Sequence, residues 1–225
     1  KEALNVDLIM KSCTEDGTLL KPDLPAVRTD ATILAQAGFQ VDTQQRNQIW
    51  STKTTLSGYT WTYILAVMGP SFQLTNKDAY PSAYANKVKD YVLWDLDASE
   101  VTLLPFPGTT IPESNRTNPH VYAIAPVFPE NGWAFLGEAT TKWTAVSGNR
   151  FSNLQVNFDE VSVLVTGAPS ELVTLWLATP NLEVISAPCT LDESGRAVFS
   201  SARMTCRGHL LATDASSVGG IMEKS

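Results

Sequence analysis

The chain has 225 residues, of which 44% are hydrophobic and 17% charged, and its net charge is −7. This length predicts one large or two small domains, and the apolar content suffices for a folded core and excludes a disordered chain. The acidic balance argues against a nucleic-acid partner, which needs a basic face, and no apolar run approaches the ~20 residues of a membrane span.

Helical spacing is confined to the first dozen residues. Leu4, Leu8 and Ile9 approximate one apolar face of a helix, and the Asp-Gly pair at 16–17 predicts the turn that ends it. The prolines that follow indicate an extended loop, because proline disfavours helix in the residue before it. We therefore expect residues 1–40 to form a helix followed by an extended loop.

From residue 41 onward the pattern is typical of antiparallel strands. Residues 49–54 and 59–64 flank a Ser-Gly turn and predict a hairpin, because the second segment alternates aromatic residues with threonine. Comparable strand signals recur at residues 91–96, 99–104, 121–127, 133–136, 151–158, 160–167, 172–178, 183–186 and 197–200.

These signals predict a mostly β fold, an antiparallel β-sandwich with an N-terminal helix and long loops. The sandwich is expected to occupy residues 41–212, as two sub-sheets with a break near residues 105–120. Residues 213–225 contain a Gly-Gly pair and terminal charges and are expected to form a mobile tail.

Three patches follow one another along the chain. They read DGTLLKP at 16–22 leading to LPAVRTD at 24–30, QIW at 48–50 leading to GYTWTYIL at 58–65, and AIAPV at 123–127 leading to WAFLG at 133–137. In this order they resemble the C-terminal end of family 36 glycoside hydrolases, in the raffinose synthase, seed imbibition protein and alkaline α-galactosidase branch. The chain departs from that pattern at residues 146–149, VSGN, where the family has Asn-Ser-Gly-Gly.

The resemblance implies a catalytic barrel that precedes this region, with residues near 5–11 at the end of its last helix. The aspartate nucleophile and the acid/base aspartate of a retaining mechanism would lie upstream. No catalytic residue is therefore assigned in this chain, which by itself is not expected to be an enzyme. The parent protein would be a glycoside hydrolase or a galactosyltransferase.

The resemblance also implies a partner, the catalytic barrel carried by another chain or by a lost fragment. The alternative is a stand-alone carbohydrate-binding module or an accessory subunit of a larger assembly. An uncovered apolar face around Leu4, Leu8 and Ile9 would be the sign of a missing partner.

Two sets of side chains invite a catalytic interpretation. Asp95 and Asp97, with Glu100 nearby, would form a carboxylate pair, and the alternative favoured by the surrounding turn sequence is a solvated hairpin tip. His120 precedes a strand and has no Cys or acidic partner near it in sequence, so we expect a structural histidine. The spacing of the histidines and cysteines matches no metal site, and no cofactor motif occurs.

One tryptophan is the best candidate for contact with carbohydrate. Trp143 lies in the polar run TTKWT at 140–144, where an exposed aromatic face would stack on a sugar ring. The alternative for this and the other five tryptophans is a place in the core.

Two further features bear on covalent modification. Asn115 begins an Asn-Arg-Thr triplet, the acceptor sequence for N-glycosylation, which matters only in a secreted protein. Cys189 and Cys206 flank a predicted hairpin and are candidates for a disulfide, which would leave Cys13 as a free thiol. The sequence does not determine the compartment, the sugar or the linkage.

Overall fold

The computed structural model of the protein describes residues 6–29, 48–75, 78–83, 87–115 and 117–208. Within these ranges the chain forms one short helix and fifteen strands, and every strand pairing is antiparallel. In chain order the elements are α1 (Val6–Met10), β1 (Val27–Arg28), β2 (Gln48–Leu56), β3 (Tyr59–Met68), β4 (Phe72–Gln73), β5 (Tyr91–Asp95), β6 (Leu103–Leu104), β7 (Thr110–Ile111), β8 (His120–Pro126), β9 (Ala134–Gly137), β10 (Phe151–Val156), β11 (Val161–Thr166), β12 (Leu172–Ala178), β13 (Val184–Thr190), β14 (Arg196–Ser200) and β15 (Thr205–Gly208).

The β2–β3 hairpin forms where the sequence predicts it. Ser57 and Gly58 have positive φ values of 49° and 86° and join Leu56 to its partner Tyr59. A two-residue loop with both residues at positive φ matches the right-handed twist of the strands it connects. The predicted alternation then places Trp61 on the core side of the hairpin, fully buried.

Three larger sheets share one core. They have the strand orders β1-β2-β3-β8-β5-β6, β10-β11-β14-β15 and β13-β12-β9, and a small fourth sheet pairs β4 with β7. The main core joins Trp61 and Trp94 of the first sheet to Phe199 of the second and Phe135 of the third. The indole Nε1 of Trp61 donates a hydrogen bond of 2.7 Å to the carbonyl of Phe135, so the packing between sheets is also fixed by a polar contact.

A second core covers the other face of the six-stranded sheet. Ile64, Leu93 and Ile124 pack there against Leu74 and Ile111, which come from the segment around β4 and β7. Burial on both faces explains why six consecutive residues of β3, from Tyr59 to Ile64, are buried instead of alternating with exposed ones.

The structure confirms the mostly β, antiparallel, sandwich-like fold with a short N-terminal helix. The helix spans five residues, and residues 1–5, where part of it was predicted, lie outside the described chain. In the predicted strand at 99–104 only Leu103–Leu104 pairs. Among the described residues, no helix is long and apolar enough to span a membrane.

The first sheet contains strands from both sides of a long connection. Strand β8, which begins at His120, pairs with β3 and β5 from earlier in the chain, so this sheet continues to Pro126. The boundary predicted at residue 40 and the tail predicted at 213–225 lie outside the described residues.

Candidate functional site

A buried ionic cluster lies at one end of the sandwich, where β10 begins. The Arg150 side chain is completely buried, and its guanidinium contacts two carboxylates that are almost as buried, those of Glu138 and Glu171. Its Nε and Nη2 donate to Glu138 at 2.8 and 3.2 Å, and its Nη1 donates to Glu171 at 2.9 Å. The remaining donors reach Glu171 and, at 2.9 Å, the carbonyl of Thr166. All five donors of the guanidinium are therefore satisfied.

The three charges of this cluster depend on one another. Burial disfavours the charged guanidinium, yet the hydrogen bonds from Glu171 and Glu138 outweigh it and raise the pKa of Arg150. Burial raises the pKa of Glu138, and the attraction of Arg150 only partly opposes it. Burial also acts against ionised Glu171, but the hydrogen bonds from Arg150 and from the Ala168 N–H lower its pKa overall. Neither carboxylate would be tolerated at this depth without Arg150.

The segment that follows α1 is fixed to this end of the sandwich by side chains of the β9–β10 connection. The ammonium of Lys142 donates to the carbonyls of Met10 and Cys13 at 2.7 and 2.6 Å. Met10 is the last residue of α1, and a cation at such a carbonyl satisfies an acceptor that has no partner within the helix and complements the helix dipole. The N–H of Trp143 donates to the carbonyl of Lys11 at 3.0 Å. The C-terminal end of α1 is thus held in a defined position.

The same connection fixes the loop farther along the chain. The side-chain amide of Asn149 donates to the carbonyl of Leu19 at 2.7 Å, and the hydroxyl of Ser147 donates to the carbonyl of Lys21 at 3.0 Å. The N–H of Glu15 lies 3.4 Å from a carboxylate oxygen of Glu171. The N-terminal loop therefore contacts the ionic cluster directly.

A polar cleft of about 290 Å³ separates this loop from the sandwich. It lies where β11 ends and β14 begins, and the pairing of these strands brings Thr166 opposite Arg196. The residues that line it are Thr14, Asp16, Thr18, Asn149, Thr166, Gly167, Ser194, Gly195 and Arg196. None of these has a large apolar side chain, so any ligand there would be recognised by hydrogen bonds and charge.

Two glycines bring the backbone of the cleft against the ionic cluster. A Cβ atom on Gly167 would lie 2.1 Å from Arg150 Nη1 and 2.2 Å from Glu171 Oε2. Gly195 has φ +70°, and a Cβ there would lie 2.1 Å from the carbonyl oxygen of Gly167. Only glycine permits this approach, so the floor of the cleft depends on both positions.

Replacing Gly167 with alanine is expected to destabilise the protein by about 1–3 kcal/mol, the range typical of overpacking. The added methyl group would displace buried guanidinium and carboxylate atoms that have no free space to move into. Urea unfolding measures the effect. Gly148→Ala is the matched control, because nothing lies within 4 Å of a Cβ at that position. Equal stability of the two variants would contradict a rigid cluster behind the cleft.

Lys11 lies between Trp143 and one of the carboxylate candidates, Asp97. The Lys11 ammonium lies 4.3 Å from the centroid of the Trp143 ring and 4.0 Å from Asp97 Oδ1. Partial burial raises the pKa of Asp97, and the attraction of the Lys11 ammonium opposes this shift only in part. Trp143 is half-buried, with Lys11 over its ring, and it does not line the cleft.

The acidic pair at the end of β5 forms a turn. The N–H of Asp97 donates to Asp95 Oδ1 at 2.8 Å, which is the self-capping arrangement of an Asx turn. The Asp95 carboxylate therefore accepts a hydrogen bond from the backbone of its own turn. Glu100 lies in the exposed bend beyond it. No group of three or more His, Cys, Asp or Glu residues in the described chain could hold a metal ion.

The cysteines and the described residues of the glycosylation triplet do not line the cleft. Cys189 and Cys206 form a disulfide with an S–S distance of 1.96 Å, which links β13 of one sheet to β15 of another. Cys13 is a free cysteine. Asn115 is exposed, and its Oδ1 accepts hydrogen bonds from the N–H and the hydroxyl of Thr117 at 2.9 and 2.7 Å.

The residues of the ionic cluster and the cleft were not singled out by the sequence. Arg150, Glu138 and Glu171 are separated by turns and strands and belong to no spacing motif. One signal was present, because charged residues directly beside strongly apolar strands are candidates for buried pairs. Asp16 was noted as part of a turn and of the first sequence patch, and not as a binding residue, although it lines the cleft.

Comparison with known proteins adds no relative to this picture. No protein-family model matches the chain, and no curated protein matches it significantly.

Proposed function

We propose that this chain is the non-catalytic C-terminal β-sandwich of a protein resembling raffinose synthases and α-galactosidases, and that it packs on a catalytic barrel. The barrel would be carried by another chain or by a separate fragment. The order of the three sequence patches suggests this family. The observation that carries the proposal is α1, a helix in which four of the five residues are apolar and none is buried.

A helix of this kind needs a partner. Isolated helices shorter than about 12 residues are marginal in water, and most helical stability in proteins comes from packing of an apolar face. Helix α1 has five residues, yet Val6 is 61% exposed and Ile9 is 43% exposed. The hydrogen bonds from Lys142 fix the C-terminal end of the helix, but they do not cover the side chains of Val6 and Ile9. A partner surface over these residues would supply the missing packing.

The exposed apolar side chains are concentrated in the same part of the chain. Of the eleven large hydrophobic residues that are exposed in the described chain, six lie between residues 6 and 27, and these are Val6, Leu8, Ile9, Leu19, Leu24 and Val27. The other five are scattered over the remaining strands and turns. Scattered exposure needs no explanation, whereas concentrated exposure is typical of an interaction surface.

The first test is the native mass of the protein isolated from its source, with peptide sequencing of everything that copurifies. We expect a tightly held chain or fragment that contains a barrel and paired aspartates. A lone 24.5 kDa species, or unrelated partners only, would overturn the proposal. In either of those cases the chain would be a stand-alone carbohydrate-binding module or an accessory subunit.

A variant pair tests whether the helix makes the contact. Val6→Asp combined with Ile9→Asp is expected to release the barrel-bearing partner, because each carboxylate would be buried against an apolar surface. Leu182→Asp is the control, since Leu182 is 61% exposed in a distant turn. α-Galactoside hydrolysis is expected only in the complex and not in the isolated chain. Equal retention of the partner by both variants would contradict this role of α1.

A further inference from the structure

We propose that the cleft between the N-terminal loop and the sandwich binds a neutral sugar the size of a monosaccharide. The site lies within this chain and is formed without the barrel, so the inference does not rest on the proposed function. It is a binding site with no catalytic role.

The size of the cleft sets the size of its ligand. Small-molecule sites in proteins typically enclose about 300–1,000 Å³, and this cleft, at about 290 Å³, lies at the lower limit. It has room for a single sugar ring and not for an oligosaccharide laid along it.

The lining of the cleft matches the chemistry of sugar hydroxyl groups. Each hydroxyl donates one hydrogen bond and accepts others, so its recognition needs both acceptors and donors. Asp16 supplies a carboxylate acceptor, and Arg196 supplies guanidinium donors. The hydroxyls of Thr14 and Thr166 line the same cleft but already donate within the protein, to Asp16 and to the carbonyl of Asn149.

The charges of the lining select against simple ions. The hydrogen bond from Thr14 and the backbone N–H of Thr18 lower the pKa of Asp16, so this carboxylate is ionised at neutral pH. It would repel an anion drawn to Arg196, and Arg196 would repel a cation drawn to Asp16. A neutral ligand avoids both penalties and receives charge-assisted hydrogen bonds from both residues.

The backbone around Arg196 and the carboxylate of Asp16 are held in place before a ligand arrives. Asp192 Oδ1 accepts hydrogen bonds from the Ser194 N–H at 2.8 Å, the Ser194 hydroxyl at 2.6 Å and the Arg196 N–H at 3.0 Å. On the opposite wall, the Thr18 N–H donates to Asp16 Oδ1 at 3.0 Å. The Arg196 guanidinium makes no ion pair or hydrogen bond with the described residues and is available to a ligand. Preorganised walls reduce the entropy that binding costs.

The test is titration of the full 225-residue chain with D-galactose, D-glucose and D-mannose, followed by calorimetry and by saturation-transfer NMR. Phosphate and L-alanine are titrated as an anion and a zwitterion. We expect at least one hexose to bind. Asp16→Asn and Arg196→Met are each expected to weaken that binding about tenfold, the effect of losing one charge-assisted hydrogen bond. Arg203→Met, at an exposed position outside the cleft, is expected to leave the affinity unchanged.

Three results would overturn the inference. They are the absence of binding by all three hexoses, equal affinity of the two cleft variants and the control, and preferential binding of phosphate or alanine. Both cleft substitutions are on exposed side chains, and their unfolding curves would show that the variants remain folded. Failure of sugar binding would not count against the proposed barrel partner, because that proposal is tested separately by copurification.

Discussion

Replacing Arg150 with alanine is expected to destabilise the protein by about 3–5 kcal/mol, the cost of removing one partner from a buried ion pair. The substitution leaves Glu138 and Glu171 at 3% exposure without their counter-charge, and it removes all five hydrogen bonds that the guanidinium donates. Urea unfolding followed by tryptophan fluorescence measures the loss, because Trp61 and Trp94 lie in the core shared by the sheets.

Two companion variants make this result interpretable. Arg203→Ala removes an exposed arginine and is expected to change the free energy of unfolding by no more than about 0.5 kcal/mol. Arg150→Lys keeps the charge but has three donors instead of five in a fixed fork, so its loss should lie between those of the other two variants. A loss below about 1 kcal/mol for Arg150→Ala would mean that water reaches the two carboxylates.

Removing the disulfide by the double substitution Cys189→Ala and Cys206→Ala is expected to cost about 2–4 kcal/mol. The bond closes a loop with a sequence separation of 17 residues, and opening it increases the conformational freedom of the unfolded chain. Because the bond also joins two different sheets, its loss should promote their separation. Thermal and urea unfolding with and without a reductant measure the effect.

The free cysteine provides the control for this prediction. Cys13 is not part of the disulfide. A reductant should therefore destabilise the Cys13→Ala variant as much as it destabilises the unsubstituted chain. The double variant should not respond to the reductant at all. If the reductant shifts the double variant, or leaves the unsubstituted chain unchanged, the disulfide does not contribute to stability in solution.

Local sequence patterns predicted the strands that depend on local geometry. The Ser57-Gly58 turn and the aromatic alternation after it predicted the β2–β3 hairpin, since positive φ and period-2 burial are properties of neighbouring residues. Most of the predicted strand at 99–104 does not form, because local patterns do not show whether a segment has a pairing partner. Its apolar residues have strand propensity, but only Leu103 and Leu104 meet a partner, in β5, and pairing depends on distant residues.

The surroundings of the candidate residues depend on both distant and local contacts. Trp143 was expected to present an aromatic face, and the structure places the ammonium of Lys11 over its ring, a contact between residues 132 positions apart in sequence. Asp95 and Asp97 had the spacing of a carboxylate pair, and they form an Asx turn, in keeping with the turn that the surrounding sequence favoured. The contact with Lys11 depends on the tertiary structure, whereas the Asx turn is a local arrangement that the sequence was able to indicate.

The sequence by itself determined the antiparallel β class, the N-terminal helix and the main hairpins of this protein, because alternation, turn residues and apolar spacing act over a few neighbouring positions. The tertiary structure alone decided that β8 joins the first sheet and that Arg150 meets Glu138 and Glu171. It also decided that the N-terminal loop closes a polar cleft over Gly167. These contacts join segments between 12 and more than 100 residues apart. They form when the core folds, because a charge or backbone group that is buried without a partner costs free energy.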